Sequence, residues 1–599
     1  MRRLVPFAVL VGAVALLDGR LDGRFHVRVL TLAIVWALAG VAWNLMAKAG
    51  QISLGHSAFT GIGAYAFTML LRSDADVSPW IGMAVGMGIA AFLALAVGLP
   101  TFRLKGFYFT LATISFPLIL ELLVAHNGDP ELTVPFHPEN EWRYMEFADA
   151  HTYVWIGLVM LVVALAISAL IDITSFGFAL RAIRDNEVLA RAVGIRTVAW
   201  KSAAFIISAA LSAAMAVLWV KAVLRVTVAE EVFGITVVIV MLSVAFVGGV
   251  GRTWGPVVGA AFLIPLAMFL DDTIGESVPG AQELVYAAAL VLVALLIPEG
   301  IVPAVERGWE RLAGVLFGSS PRGARVRGLL APGPRPTPLL RVARRPPRRR
   351  IPSPPATPVL EVEGVAKSFG ANQVLSDVTF RVQAGERLGL IGPNGAGKTT
   401  LFNIMTAHLR ADAGRVLFKG VAIDRMRAPR RYELGISRTF QVPQGFHLMS
   451  PLDNVAVAAI GASVPHPMKA SMAMLERVGL ADLALAELSA LTVAETKTLE
   501  LARAMVSDPE LLLLDEPLAG LNETERLRFF ETVDDLVDPQ TAIVVIEHSV
   551  RSLIRYVESV VALDEGRIIA EGPPEAVVSN PQVIKAYLGS KWMGHARDQ

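Results

Sequence analysis

LGLIGPNGAGKTTLFNIMTAHL, residues 388–409, runs from a short apolar stretch through a glycine-rich turn into a helical stretch. Gly392-Pro-Asn-Gly-Ala-Gly-Lys-Thr-Thr400 fits G-x-x-x-x-G-K-[ST], and it stands where that motif has physical meaning, between a strand (Leu388–Ile391) and a helix. Gly392, Gly395 and Gly397 let the backbone curl until its N–H groups face phosphate oxygens, and the helix N-terminus adds positive potential. The expected nucleotide-binding set is Gly392, Pro393, Asn394, Gly395, Ala396, Gly397, Lys398, Thr399 and Thr400. Lys398 is placed to reach the terminal phosphates of ATP, and the Thr399 hydroxyl to ligate Mg2+.

Two more elements complete a hydrolytic site. ELLLLDEP, residues 510–517, reads as a buried parallel strand ending in two acids. Parallel sheets bind ligands at that end, and unpaired buried carboxylates are too costly to be structural filler. Asp515 is expected to assist Mg2+, and Glu516 to orient and deprotonate the attacking water. His548 follows the strand AIVVIE and is read as a contact to the γ-phosphate. Strands alternating with amphipathic helices such as 522–536 imply an α/β domain with a largely parallel sheet from Val359 onward.

The rest of the chain belongs to another solvent. At 599 residues the protein exceeds one compact core, its hydrophobic fraction is 54% and its charged fraction 18%. Mean hydropathy is +0.54. With no cysteine, disulfides, thiolate metal sites and cysteine nucleophiles are excluded. Residues 1–303 hold ten apolar runs, at 4–17, 27–46, 52–71, 80–100, 106–125, 153–171, 201–220, 235–248, 256–270 and 281–298. Several approach the ~20 residues a helix needs to cross a bilayer; the shortest fit steep, re-entrant or buried segments instead. The first run resembles a signal peptide, but no small-x-small site follows it, so it is read as a retained span. With the N-terminus inside, Lys48, Arg103, Lys105, Arg181, Arg184, Arg191, Arg196 and Arg252 fall on cytoplasmic loops. Loops on the other side carry mainly Asp, Glu, Asn and Pro, with Lys221 and Arg225 among the exceptions, so about ten spans satisfy the positive-inside rule.

Between the halves, residues 304–358 form a linker whose later part is dense in Arg and Pro and free of acidic residues. It reads as an extended spacer, or as a tether that also lies against anionic lipid. Within the membrane half, Gly50, Gly55, Gly61 and Gly63 suit close helix approach or a helix break. Asn44, Gln51, Ser53 and His56 either face a pathway or hydrogen-bond neighbouring helices.

The nucleotide elements, in this order, resemble those of ABC-transporter ATPases along 359–590. The resemblance implies that Phe369 in KSFG stacks on adenine and that Gln441 in SRTFQ senses Mg2+ and the permease. AGLN, 519–522, occupies the loop after the catalytic Glu. The LSGGQ signature falls at Leu491-Thr-Val-Ala-Glu495, where Val493 and Ala494 replace both glycines and Glu495 replaces Gln. In this family the signature contacts ATP held by a partner, so unequal ATP sites are expected.

The membrane half resembles the permeases of branched-chain amino acid uptake systems along most of 27–300. The resemblance rests on NLMAKAGQISLGHSAFTGIGAYAFTML (44–70), KGFYFTLATISF (105–116), ALRAIRDNEVLARAVGI (179–195) and FVGGVGRTWGPVVGA (246–260). GRIIAEGPPEAVVSNPQVIKAYLG, 566–589, is similar to the ATPase of the same systems. The expected architecture is a polytopic α-helical permease (1–303), the linker (304–358) and an α/β P-loop ATPase (359–599), with Arg181–Gly194 as the coupling helix. The implied function is ATP-driven import of hydrophobic amino acids across the bacterial inner membrane. Relatives carrying urea, amides or organic acids leave the cargo open, and an exporter half-transporter fits the number of runs less well. Expected partners are a second permease and a second ATPase, or a second copy of the fusion, with an external substrate-binding protein. Nucleic-acid binding has only the linker's charge in its favour, without stacking aromatics.

Overall fold

The computed structural model describes residues 5–20, 23–73, 77–104, 107–126, 131–224, 226–274, 280–308, 357–442, 444–547 and 553–588. Most of the linker, and His548, lie outside the described residues. The chain divides into two compact units, one of Met1–Leu180 with Val198–Leu339, the other of Arg181–Thr197 with Leu340–Gln599.

In the first unit each of the ten apolar runs is helical. Among the described residues seven helices are long and apolar enough to cross a membrane: Arg24–Ala47, Pro79–Thr101, Tyr108–His126, His151–Ile173, Thr197–Leu224, Ala229–Gly248 and Gly255–Thr273. Val5–Asp18, His56–Arg72 and Ala281–Leu296 are shorter. Ten helices thus stand where about ten spans are expected, but only seven of the described helices have spanning length, so a count near ten is not confirmed. Hydropathy marks a run as apolar, but only the length of the folded helix says how far it reaches.

Small residues let these helices touch. A Cβ added at Gly63 would lie 2.3 Å from the Ala213 carbonyl oxygen, and one at Gly61 2.2 Å from the Phe233 ring. Gly50, with φ 71°, closes the helix Arg24–Ala47, and the break up to Gly55 brings Gly55 against the Thr113 carbonyl. The polar side chains around this break bond across helices. Asn44 Nδ2 donates to the Arg252 carbonyl at 2.9 Å while its Oδ1 accepts from Gly251 N–H at 2.7 Å. Ser208 Oγ donates to the Ala42 carbonyl at 2.5 Å, which leaves it to accept from His56 Nε2 at 2.7 Å. Lys48 Nζ joins Ser168 Oγ, Asp172 and Thr253 at 2.9, 2.7 and 3.0 Å. Asn44 and His56 thus fasten the bundle in this conformation. The helix Thr197–Trp219 ends in a π-turn, Val220–Leu224, that turns buried Lys221 onto buried Glu146.

The second unit is an α/β domain. Its six-stranded sheet has the order Arg567–Gly572, Ser559–Asp564, Arg387–Ile391, Ala542–Ile546, Leu511–Asp515, Ile436–Arg438, parallel except for the first pair. A second sheet has four antiparallel strands in the order Asn372–Val382, Leu360–Phe369, Ala413–Phe418, Val421–Ala422. The central strands read RLGLI, AIVVI and LLLLD and are buried along nearly their whole length, as strands covered on both faces require. Ile546 pairs with both Leu390 and Asp515, so the glycine loop, Asp515 and Glu547 emerge at the C-terminal ends of the central strands.

Lys221→Met deprives buried Glu146 of the Lys221 ammonium and is expected to destabilise the first unit by about 3–5 kcal/mol. Thermal unfolding in detergent should show most of the loss recovered by Lys221→Met/Glu146→Leu.

Candidate active site

The glycine loop follows the central strand and enters the helix Lys398–Met405. Gly392, Gly395 and Gly397 have φ of 153, 84 and 102°, values that exclude most side chains. A Cβ at Gly392 would also meet the Leu563 carbonyl at 2.1 Å, and one at Gly397 the Leu375 side chain at 2.6 Å. Gly395 meets nothing within 4 Å, and with Asn394 it is exposed, so the crown of the loop is open while its two ends are packed. Pro393 and Thr400 are half-buried, Ala396 is buried, and Thr399 is exposed on the first turn of the helix. Lys398 is buried and donates to the Gly392 and Pro393 carbonyls at 2.7 and 2.9 Å, spanning the mouth of the loop. Burial pushes its ammonium below the usual lysine range, and Glu516 and Asp515 partly restore it. Phe369 is half exposed, with Lys367 Nζ 5.5 Å above its ring.

Asp515 ends the leucine strand fully buried, and one oxygen is held by Arg438 Nη2 at 3.1 Å. The other, Oδ1, has no hydrogen-bond partner among the described residues. Burial raises its pKa against the pull of Arg438 and lowers that of Arg438 against the pull of Asp515, so desolvation outweighs the pair's attraction on both sides. Glu516, only 7% exposed, adopts φ 46°, a left-handed conformation that costs a non-glycine residue energy. Its N–H donates to the Ile546 carbonyl and its own carbonyl accepts from Lys497 Nζ at 3.0 Å, so the backbone on both sides of the strained residue is held.

Arg438 and Lys497 are the residues that motif reading missed. Arg438 also donates to Asn403 Oδ1 at 2.8 Å and Thr406 Oγ1 at 3.0 Å, and its guanidinium lies 4.6 Å from the Phe440 ring. One buried cation thereby joins the glycine-loop helix, the Asp515 strand and the start of the Gln441 segment. Its only sequence signal is its place in SRTFQ. The Gln441 side chain is exposed, while the segment around it is tied to the helix Val493–Met505. Phe440 N–H donates to Glu500 Oε1 at 3.1 Å, and Arg503 donates to the Gln444 carbonyl at 2.6 Å.

Thr492 caps that helix in a capping box with Glu495. Val493 is 56% exposed, and a Cβ at Gly520 would come within 3.5 Å of it. The unit also takes in Arg181–Thr197, with the helix Glu187–Ala192 capped by Asn186. Asn186 Nδ2 donates to Gln444 Oε1 at 3.2 Å, and Leu448 N–H donates to Asp185 at 2.8 Å. Arg196 forms a forked pair with Glu433 at 2.6 and 3.0 Å. A Cβ at Gly461 would lie 1.8 Å from the Val193 carbonyl, so the inserted segment rests directly on this glycine's backbone.

The family of branched-chain amino acid transport system / permease components matches residues 25–296. The ABC transporter family matches 375–519, and the branched-chain amino acid ATP-binding cassette transporter family 567–591. The high-affinity branched-chain amino acid transport ATP-binding protein LivG of Escherichia coli is 32% identical over 250 residues, 39% of this chain and 98% of that protein. The chain belongs to the branched-chain amino acid ABC transporter family. The high-affinity branched-chain amino acid transport ATP-binding protein BraF of Pseudomonas aeruginosa is likewise 32% identical over 250 residues, 39% of this chain and 98% of its own length. A probable LivG of Archaeoglobus fulgidus is 32% identical over 247 residues, 39% of this chain and 96% of that protein. A solved ATP-binding cassette of an ABC transporter in its ADP conformation is 30% identical, covering 39% of this chain and all of that one, with a TM-score of 0.37. The transporter therefore carries permease and ATPase in one chain, is a membrane protein, binds ATP and couples its hydrolysis to transport.

Arg438→Met in the transporter leaves Asp515 buried without its guanidinium partner and is expected to cost the ATPase unit about 3–5 kcal/mol. Urea unfolding of the detergent-solubilised chain checks this, and Arg438→Met/Asp515→Asn should recover most of the loss.

Proposed function

We propose that the transporter imports branched-chain or other hydrophobic amino acids across the bacterial inner membrane. The observation that carries the reading is the lodging of Arg181–Thr197 in the ATPase unit beside the Gln441 segment, through Asn186–Gln444 and Asp185–Leu448. A permease segment seated there can transmit a rearrangement at the ATP site as a rigid-body movement. The roles of LivG and BraF in branched-chain amino acid transport favour amino acids as cargo. Urea, amides and small organic acids are the alternative.

The residues present suit ATP with Mg2+. The open crown of the loop and Lys398 offer donors to phosphate oxygens, Thr399 exposes a hydroxyl, and Asp515 keeps one oxygen unpartnered. No cluster of three or more His, Cys, Asp or Glu stands ready for a metal among the described residues. Mg2+ in a nucleotide site is held by one or two protein oxygens together with phosphates and water. Thr399, Asp515 and Gln441 would hold it, and its charge would offset the developing charge on the phosphates. Lys398 binds the terminal phosphates, Phe369 stacks on adenine, Glu516 takes the proton of the attacking water, and His548 steadies the γ-phosphate. The strained backbone at Glu516 supports its role, since such strain persists where surrounding structure enforces a functional geometry.

In this reading residues 1–303 are the permease, 304–358 the linker and 359–599 the cytoplasmic ATPase domain. The assembly has a second permease and ATPase, or a second copy of the chain, with an external binding protein and surrounding lipid. The exposed Val493, and Glu495 in place of Gln, stand at the positions read as the family's signature, which supports unequal ATP sites.

Proteoliposomes holding the transporter, its co-purifying partners and the matching binding protein should take up labelled leucine, isoleucine and valine with ATP. Glu516→Gln is expected to lower hydrolysis about 10²–10⁴-fold and abolish uptake. Uptake that persists in Glu516→Gln would remove Glu516 as the base. ATP hydrolysis stimulated by the binding protein, without amino acid uptake, would move the cargo to amides, urea or organic acids.

A further inference from the structure

The run from Gly566 to the helix Pro581–Leu588 holds none of the groups assigned to ATP chemistry, yet it returns to the nucleotide loop at two points. At the loop's far end, Gly566 N–H donates to the Ala396 carbonyl at 3.1 Å, and the Gly566 carbonyl accepts from Ser376 N–H at 2.9 Å. Gly566 has φ 76° and follows Glu565 at φ 44°, a tight turn that carries the backbone into the loop. At the near end, the Tyr587 hydroxyl accepts the Gly392 N–H at 2.7 Å.

Gly392 is where the chain leaves the sheet. Its strand partners stop at Ile391 on one side and Leu390 on the other, so its buried amide has no acceptor in the ladder. A buried N–H left without a partner destabilises the fold that buries it. The same residue's carbonyl is held by Lys398, and the Leu563 carbonyl closes the space a side chain would need. The Tyr587 hydroxyl therefore holds the N–H of the residue whose carbonyl is held by the phosphate-binding lysine.

We infer that the C-terminal segment 566–588 is a brace for the nucleotide loop, with Tyr587 a positioning residue that pre-shapes Gly392 and Lys398 for ATP. The inference rests on the reading of residues 392–400 as the ATP loop. Burial raises the Tyr587 pKa and the Gly392 bond lowers it in part, so the phenol stays neutral and an acceptor for that amide at physiological pH. The bracing belongs to the hydroxyl, and the ring serves as packing.

Tyr587→Phe removes the hydroxyl and keeps the ring. In the full chain with its partners, binding of a fluorescent ATP analogue should weaken about two- to tenfold, the loss of one net hydrogen bond. Turnover at saturating ATP should stay within about twofold of the parent, because bound ATP restores the loop's shape. The unfolding midpoint without nucleotide should fall only slightly, as the stranded Gly392 N–H requires. A chain ending at Asn580 should weaken ATP binding at least as much. Unchanged affinity in Tyr587→Phe overturns the inference, whatever the truncated chain does. So does a fall in turnover at saturating ATP well beyond twofold. If the parent chain itself fails to bind the analogue, the ATP reading fails and the inference falls with it.

Discussion

A carboxylate at the end of an all-leucine strand is costly to keep charged in a protein interior unless a cation or hydrogen-bond donors stand beside it. Asp515 stands in that position, and Arg438 answers it. Arg438 must in turn be satisfied. It reaches Asn403 and Thr406 at the helix that follows the glycine loop, and it lies against Phe440 at the start of the Gln441 segment. One charge balance therefore sets the spacing of three chain segments. The oxygen that Arg438 leaves free is the one available to nucleotide chemistry.

A second layer of buried charge carries this arrangement outward. Lys497 ties the backbone of Glu516 to the helix Val493–Met505, and Glu500 and Arg503 on the same helix hold the Gln441 segment at Phe440 and Gln444. Gln444 also meets Asn186 of the inserted permease segment. The path from Glu516 to that segment thus runs through the helix Val493–Met505 and hydrogen bonds at either end of it. Breaking any buried link strands a polar group away from water, which is what keeps the path intact.

The membrane unit is governed by a different constraint. Between lipid and protein interior there is little difference in apolarity, so helices associate through close approach and polar bonds. Gly61 and Gly63 supply the first, and Asn44, Lys48 and His56 the second. The choice between pathway residue and helix fastener for Asn44 and His56 is open from composition alone, because a polar side chain in an apolar run has the same appearance in either role. Hydrogen bonds to neighbouring helices satisfy the Asn44 amide and the Nε2 of His56 in this conformation, while the buried Nδ1 of His56 has no hydrogen-bond partner among the described residues.

By itself the sequence determined the two solvents of the chain, the ten helical runs, the parallel sheet and the glycine loop with Lys398, Thr399, Asp515 and Glu516. These are local properties: hydropathy over a window, alternation of strand and helix, and glycines at positions where only φ > 0 will close the turn. Tertiary structure alone decided which helices have spanning length, that Arg438 and Lys497 serve the acids, and that Gly566 and Tyr587 hold the two ends of the nucleotide loop. Those residues carry no motif of their own. Arg438 and Asp515 stand 77 positions apart, and Gly392 and Tyr587 195 apart. What joins them is the demand of a buried charge or amide for a partner, and only the folded chain shows which side chain meets it.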